Sequence, residues 1–211
     1  MLDWNFLMKY KNDKDYEVKF FTAAQIPGIE KRSFPKKLAG RLYKKDIPIF
    51  PEEKLPELIK KHKINDVVLA YSDISHEEVM HKASIALSCG ANFVLLGPRD
   101  TMLESKKKVI SVCAVRTGSG KSQTTRKIAE ILKAKGKRVV AIRHPMPYGD
   151  LMEQRWQRFA TPHDLDKHKT TIEEREEYAK YVDQGLTIYA GVDYQAILKE
   201  AERRHDFILW D

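Results

Sequence analysis

One stretch restricts this chain more than any other, residues 109–125, VISVCAVRTGSGKSQTT. Residues 109–115 form an apolar, largely β-branched run of strand length, the composition expected of a strand buried on both faces of a parallel sheet. Thr117, Gly118, Ser119 and Gly120 follow as a turn. Its glycines carry no Cβ, so successive backbone N–H groups can curl around an anion. In that arrangement Lys121 reaches the β- and γ-phosphates of a nucleotide and Ser122 offers its hydroxyl to Mg²⁺. Gln123 opens a helix over 123–135 whose N-terminal dipole adds to the field at the phosphates. Val115 stands where the full phosphate-loop pattern has glycine, so the match is partial. The order strand, turn, helix carries the reading, and an ordinary glycine-rich turn with an incidental lysine is its competitor.

Residues 1–105 read as an α/β domain of their own. Strands are expected at 17–22, 47–50, 66–71 and 92–96, with 66–71 buried and 47–50 confined to an edge or connection by Pro48 and Pro51. A helix starts after Pro51 with acids in its first turn and runs through His62. Ser75 and Glu78 have the spacing of a capping box for a helix ending at Gly90. Strands alternating with helices argue for a doubly wound parallel sheet, with ligands at the carboxyl ends of the strands. That rim would carry Thr22, Gln25, Ser72, Asp73, Ser75 and His76, residues that serve equally as turn formers and caps. No opening strand with a glycine-rich turn precedes residue 17, so this domain is read as truncated.

Residues 106–211 form the second domain. A strand at 138–144 leads into the stiff loop Arg143-His144-Pro-Met-Pro-Tyr-Gly-Asp150. There Arg143 and His144 can clamp a phosphorylated group, with Asp150 as a base or a partner near the metal; a structural turn with solvated charges is the alternative. Residues 151–184 are polar and helical in tendency, and Thr171 and Glu174 form a second capping box. Glu173, Glu174, Glu176 and Glu177 read as a solvated helix face rather than a metal site, and His163 and His168 as surface histidines. A strand over 186–190, a helix from Asp193 to about Arg204 and an apolar strand over 206–211 complete the chain. The last strand ends on Asp211, the carboxylate position that helps hold Mg²⁺ in phosphate-loop proteins.

Charge and cysteine content narrow the classes of function. With Lys and Arg at 38 against Asp and Glu at 30, the net charge of +8 suits nucleic acid or a polyanionic small molecule, while the scatter of basic residues also fits a solvated lysine-rich surface. Aromatic residues are not interleaved with basic ones as a single-strand groove requires. Cys89 and Cys113 imply no disulfide framework and read as small core side chains in a reducing cytoplasm. The lysine and glutamate content suits a protein of a hyperthermophile. Neither an apolar run of about 18 residues nor an export signal is present in the sequence.

Several blocks in order give the chain a resemblance to the archaeal cyclic 2,3-diphosphoglycerate synthetase family and its predicted-GTPase relatives. They are TAAQIPGIE at 22–30, AYSDISH at 70–76, LGP at 96–98, VCAVRTGSGKSQ at 112–123, RHPMPYGDL at 143–151, TIEEREEY at 171–178 and YAGVD at 189–193. The Val115 departure is familiar in that group. The resemblance implies an α/β protein of two doubly wound parallel-sheet domains, a truncated Rossmann-like domain followed by an incomplete P-loop NTPase domain. It implies ATP as cofactor and a reaction that closes the two phosphates of 2,3-diphosphoglycerate into an intramolecular anhydride; no guanine-reading motif occurs, and the residues themselves do not choose ATP over GTP. Residues 117–122 would hold the nucleotide phosphates, Ser122 and Asp211 the Mg²⁺, and Arg116, Arg143 and His144 the substrate.

Relatives begin earlier and continue further, so the chain corresponds to roughly the amino-terminal half of such a protein. A second polypeptide completing the fold is one expectation, a homo-oligomer another, and the sheet is expected to have an unpaired edge at its metal-binding strand. Two other functions compete with the synthetase: a nucleotide-dependent switch or maturation factor acting on a protein partner, and a basic nucleic-acid-binding protein.

Overall fold

The computed structural model describes residues 13–24, 32–71, 74–114, 118–143 and 152–211, without the side chain of Asp100. It divides into two compact units, Met1–Met102 and Leu103–Asp211.

The first unit contains β1 (Phe21–Ala23), β2 (Ser33–Phe34), α1 (Lys36–Ala39), β3 (Ile47–Pro51), a 3₁₀ turn (Glu52–Lys54), α2 (Leu55–His62), β4 (Asp66–Val68), α3 (His76–Ser88), β5 (Asn92–Val94) and α4 (Pro98–Thr101). Helix α2 buries Leu55, Leu58 and Ile59, the i, i+3, i+4 stripe of an amphipathic helix, and places Glu57 in its first turn and Lys60, Lys61 and His62 in its last, as the macrodipole favours. Leu55 and Ile59 pack with Ala86 of α3 and Ala91, flanked by Phe20, Val67 and Phe93. The capping box starting α3 is formed: Ser75 Oγ accepts from the Glu78 N–H at 3.2 Å, and Glu78 accepts from the Ser75 N–H at 2.9 Å.

The first unit departs from its sequence pattern at two strands, β3 and β4. Strand β3 is the middle of a three-stranded sheet, parallel to β1 and antiparallel to β2, not an edge. Its prolines are tolerated because both ladders are short: Pro48 faces Ser33 of the two-residue β2, and Pro51 faces the last residue of β1. Strand β4 is half-exposed rather than buried, because it pairs with β5 in a separate two-stranded parallel sheet.

The second unit contains β6 (Lys108–Ser111), α5 (Lys121–Ala134), β7 (Val139–Arg143), β8 (Gln157–Phe159), α6 (Pro162–Lys167), α7 (Ile172–Val182), β9 (Thr187–Ala190), α8 (Tyr194–Arg204) and β10 (Phe207–Trp210). Its strand order is β6-β10-β7-β9-β8; the first four are parallel and β8 is antiparallel to β9. The period-2 alternation of β7 divides the core between the two faces. Val139 and Ala141 join Ala129 of α5, Tyr178 and Tyr181 of α7, Phe159, Ile188 and Leu209 on one face. Val140 and Ile142 join Ile197 and Ala201 of α8, Tyr189 and Ile208 on the other. The whole is an α/β architecture with parallel-sheet regions and helices in both units, consistent with a Rossmann-like part followed by an NTPase-like part. No helix among the described residues is long and apolar enough to cross a membrane.

Strand β6 is not buried on both faces: it pairs with β10 on one side, no described strand lies on its other side, and Val109 is 41% exposed. For the same reason Cys113 is exposed rather than a core residue. The unpaired edge therefore belongs to β6, whereas β10 is interior, between β6 and β7. Within 151–184 a strand, β8, precedes the two helices. Its pairing with β9 overrides a local sequence that is polar and helical in tendency.

Candidate functional site

Because β6, β10, β7 and β9 are parallel, their carboxyl ends share one edge of the sheet. Arg143 is the last residue of β7 and Asp211 directly follows β10, held there by its N–H donating to the Ile142 carbonyl at 3.0 Å. Lys121 is the first residue of α5.

The turn before α5 takes the form that its glycines permit. Gly118 and Gly120 have φ of 82° and 86°, the left-handed region. A Cβ at Gly118 would meet no atom of the described residues within 4 Å, and the left-handed φ requires the glycine. Helix α5 starts on Gly120 with no side-chain cap and no acid in its first turn. By contrast α3, α7 and α8 are capped by Ser75, Thr171 and Asp193. A basic residue opening an uncapped helix is opposed by the dipole, an imbalance that a bound anion would reverse. Ser122 is half-buried and Gln123 exposed in the same turn of helix.

Around Asp211 the charges converge. Its side chain is fully buried; Lys121 Nζ lies 3.5 Å from Oδ1 and Arg143 Nε 3.6 Å from Oδ2. The Tyr181 hydroxyl donates to Oδ2. Arg143, itself 7% exposed, also pairs through Nη2 with Glu177 Oε2 at 2.7 Å. Among the described residues Asp211 Oδ1, Arg143 Nε and Arg143 Nη1 are buried with no hydrogen-bond partner; the contacts of Lys121 and Nε with the carboxylate are ionic. Burial, and then the bond to Asp211, push the Tyr181 hydroxyl far above its ordinary value, so it stays protonated as a donor. The Arg126 guanidinium of α5 stands 5.6 Å from the centre of the Tyr181 ring.

The structure thus brings Lys121, Arg143 and Asp211 together, with Gly118, Ser119, Gly120, Ser122 and Gln123 in the adjoining turn and helix start. Arg116, Thr117, His144 and Asp150 lie outside the described residues, as do Gln25, Ser72 and Asp73 of the first unit's rim. On that rim Thr22 belongs to β1, Ser75 caps α3 and His76 is its first residue. His163 is exposed, but His168 is half-buried against the ring of Phe159, 5.1 Å between centres.

Tyr181 and Glu177 went unrecognised in the sequence. The glutamates of α7 are not a uniformly solvated face: Glu174 is 4% exposed and Glu177 engages Arg143. The signal was in the capping box, which sets the phase of α7. Positions 174, 177, 178 and 181 then fall on one face at i, i+3, i+4 and i+7.

Among the described residues no group of three or more His, Cys, Asp or Glu side chains is placed to hold a metal by itself. A buried carboxylate oxygen with no hydrogen-bond partner among the described residues nonetheless fits Mg²⁺, which takes few protein ligands and completes its shell with phosphates and water.

Fold and site together describe an α/β chain with a cationic, glycine-turned edge and a buried carboxylate at its centre. The chain is similar to a protein named arginine synthetase ArcE, from Thermococcus kodakarensis, with 59% identity over 207 residues. The match covers 98% of this chain and 46% of the relative, so the chain spans about half the relative's length. That name is of a synthetase, the reaction class that the resemblance implies, but of a different synthetase from one making cyclic 2,3-diphosphoglycerate. No family model matches the chain.

Proposed function

We propose that this chain is the nucleotide-binding portion of an ATP-dependent synthetase. The observation that carries the reading is the convergence of Lys121, Arg143 and Asp211 at the carboxyl edge, beside a helix that begins on a left-handed glycine without a cap. In this reading the N–H groups of 118–123 and the Lys121 ammonium bind the β- and γ-phosphates, and Arg143, with Nε and Nη1 unbonded, steadies the transferring phosphoryl group. Asp211 Oδ1 and the Ser122 hydroxyl would hold Mg²⁺, which when bound neutralises charge on the phosphate oxygens.

The relative's name suggests a product, arginine. Its guanidinium carbon can acquire a nitrogen in place of an oxygen. Phosphorylating that oxygen with ATP makes phosphate the leaving group, and ammonia attack then gives guanidinium, ADP and phosphate. Since the chain matches 46% of the relative, the acceptor site is proposed to be shared with what corresponds to the remainder, on the same or a second polypeptide. The second reading, closure of 2,3-diphosphoglycerate, rests on the blocks at 22–30, 70–76 and 143–151 that carry the family resemblance.

Titration calorimetry with Mg·ATP and Mg·GTP, beside Lys121→Ala, tests the nucleotide reading. Binding that the substitution abolishes supports it; no binding of either nucleotide to the unaltered chain overturns it. Phosphorus spectra of ATP with citrulline and ammonium, and of ATP with 2,3-diphosphoglycerate, then separate the two substrates. Nucleotide hydrolysis stimulated by neither would point to the switch.

A further inference from the structure

We infer that α7 is the positioning helix of this site: Tyr181 and Glu177 clamp Asp211 and Arg143 so that Asp211 Oδ1 stays open to a cation, with Lys121 beside it until Mg·nucleotide arrives. The inference rests on the nucleotide reading and adds residues that neither the phosphate-loop pattern nor the relative's name supplies.

The two oxygens of Asp211 are treated differently. Oδ2 receives the Tyr181 hydroxyl and faces Arg143 Nε, whereas Oδ1 is buried without a hydrogen bond from any described residue and has the Lys121 ammonium 3.5 Å away. An unpaired oxygen on a buried carboxylate is costly, and a fold that binds one oxygen firmly while leaving the other unbonded has a place for a positive charge. A freely rotating carboxylate would offer either oxygen. The Tyr181 bond removes that freedom, because the ring is fully buried in the core beneath α7.

Glu177, one turn earlier on the same face, acts on Arg143 in the same way. It binds Nη2 and leaves Nε and Nη1 unbonded. Both clamps depend on the phase of α7, which its capping box sets at Thr171 and Glu174. With Mg·nucleotide bound, Lys121 would reach the phosphates and Asp211 Oδ1 would be left to hold the cation, which would supply charge neutralisation at the phosphate oxygens. The clamps keep Asp211 and Arg143 in place with or without the nucleotide.

Tyr181→Phe in the full 211-residue chain keeps the ring and its packing and removes the hydroxyl. Nucleotide affinity should be measured over a range of Mg²⁺ concentrations and without Mg²⁺, with thermal unfolding as a check on the fold. The expected result is little change in metal-free affinity and an approximately ten-fold rise in the Mg²⁺ concentration needed for half of the metal-dependent gain. A purely structural role would lower both affinities together or neither. Glu177→Ala, at a more exposed position, supplies a second readout if Tyr181→Phe does not fold, with the same direction expected. A folded variant with unaltered Mg²⁺ dependence overturns the inference. So does an unaltered chain that binds nucleotide indifferently to Mg²⁺, an outcome that leaves the nucleotide reading standing. An unaltered chain that binds no nucleotide overturns both.

Discussion

Lys121 Nζ lies 3.5 Å from Oδ1 of Asp211, joining the first residue of α5 to the residue that follows β10. The lysine is 29% exposed and the carboxylate is fully buried, so one partner can leave the contact and the other cannot. Lys121→Ala should therefore keep the fold while losing nucleotide. A charge-assisted contact of this kind contributes about 2 kcal/mol, more than a ten-fold loss of affinity, measurable by calorimetry.

Asp211→Ala is expected to behave in the opposite way, as a stability variant first. It leaves Arg143 buried with Glu177 as its one anionic partner among the described residues and strips Tyr181 of its acceptor. Breaking a buried pair from one side costs about 3–5 kcal/mol, to be read from denaturant unfolding. A loss under 1 kcal/mol would mean that water reaches Arg143 and Tyr181 far more freely than their burial indicates.

Gly191→Ala should destabilise by about 1–3 kcal/mol through overpacking. An added Cβ would sit 2.6 Å from the Trp156 Cα and 2.7 Å from the Arg155 carbonyl oxygen, both backbone atoms with no side-chain torsion to turn away. The close approach is where the Val192 and Asp193 N–H groups bond the Gln154 and Arg155 carbonyls. A midpoint shift without a change in slope on denaturation is the expected signature.

Acidification should weaken the fold. Burial first, partly offset by the Ala201 carbonyl and reinforced by Arg158, Arg138 and Arg204, lowers the pKa of His205. Burial beside Lys167 lowers that of His168 despite Asp164. Both are held neutral when folded and take protons more readily when unfolded, so the unfolded chain binds more protons as pH drops below about 6.5. Stability is then level above that range and declines as pH falls through the depressed folded values. Melting temperatures between pH 8 and pH 5 test this, and His205→Asn should flatten part of the slope.

Thr171→Ala removes the Oγ1 that accepts the Glu174 N–H at 3.2 Å. A lost N-cap costs about 1 kcal/mol. Because α7 carries Glu177 and Tyr181, its fraying should appear as faster amide exchange at the helix start, together with the loss of stability.

Much of the second unit was legible because its signals are local. The glycine turn leading into α5, the apolar run of β7 and the capping boxes at Ser75 and Thr171 depend on residues a few positions apart. The position of β6 at the edge was not legible, since hydrophobicity reports that a strand wants covering and not what covers it. Strand β8 was hidden because Gln157 and Arg158 carry no strand signature and its pairing with β9 decides. At the site, Asp211 stood out as a carboxylate ending an apolar strand. Tyr181 did not, because a tyrosine on a helix face reads as core, and only the fold places its hydroxyl against that carboxylate.

The placement of β10 between β6 and β7 also governs the order of assembly. Val109 finds its partner in Ile208, so β6 has no neighbour in the described sheet until nearly all of the second unit has been synthesised. Such long-range pairing is slow to nucleate. The glycine turn and α5 emerge early, but Lys121 meets its carboxylate only when β10 inserts and carries Asp211 into place. The Lys121–Asp211 contact would thus form in a single late event, and a nascent chain stopped short of β10 would display the glycine turn without its carboxylate.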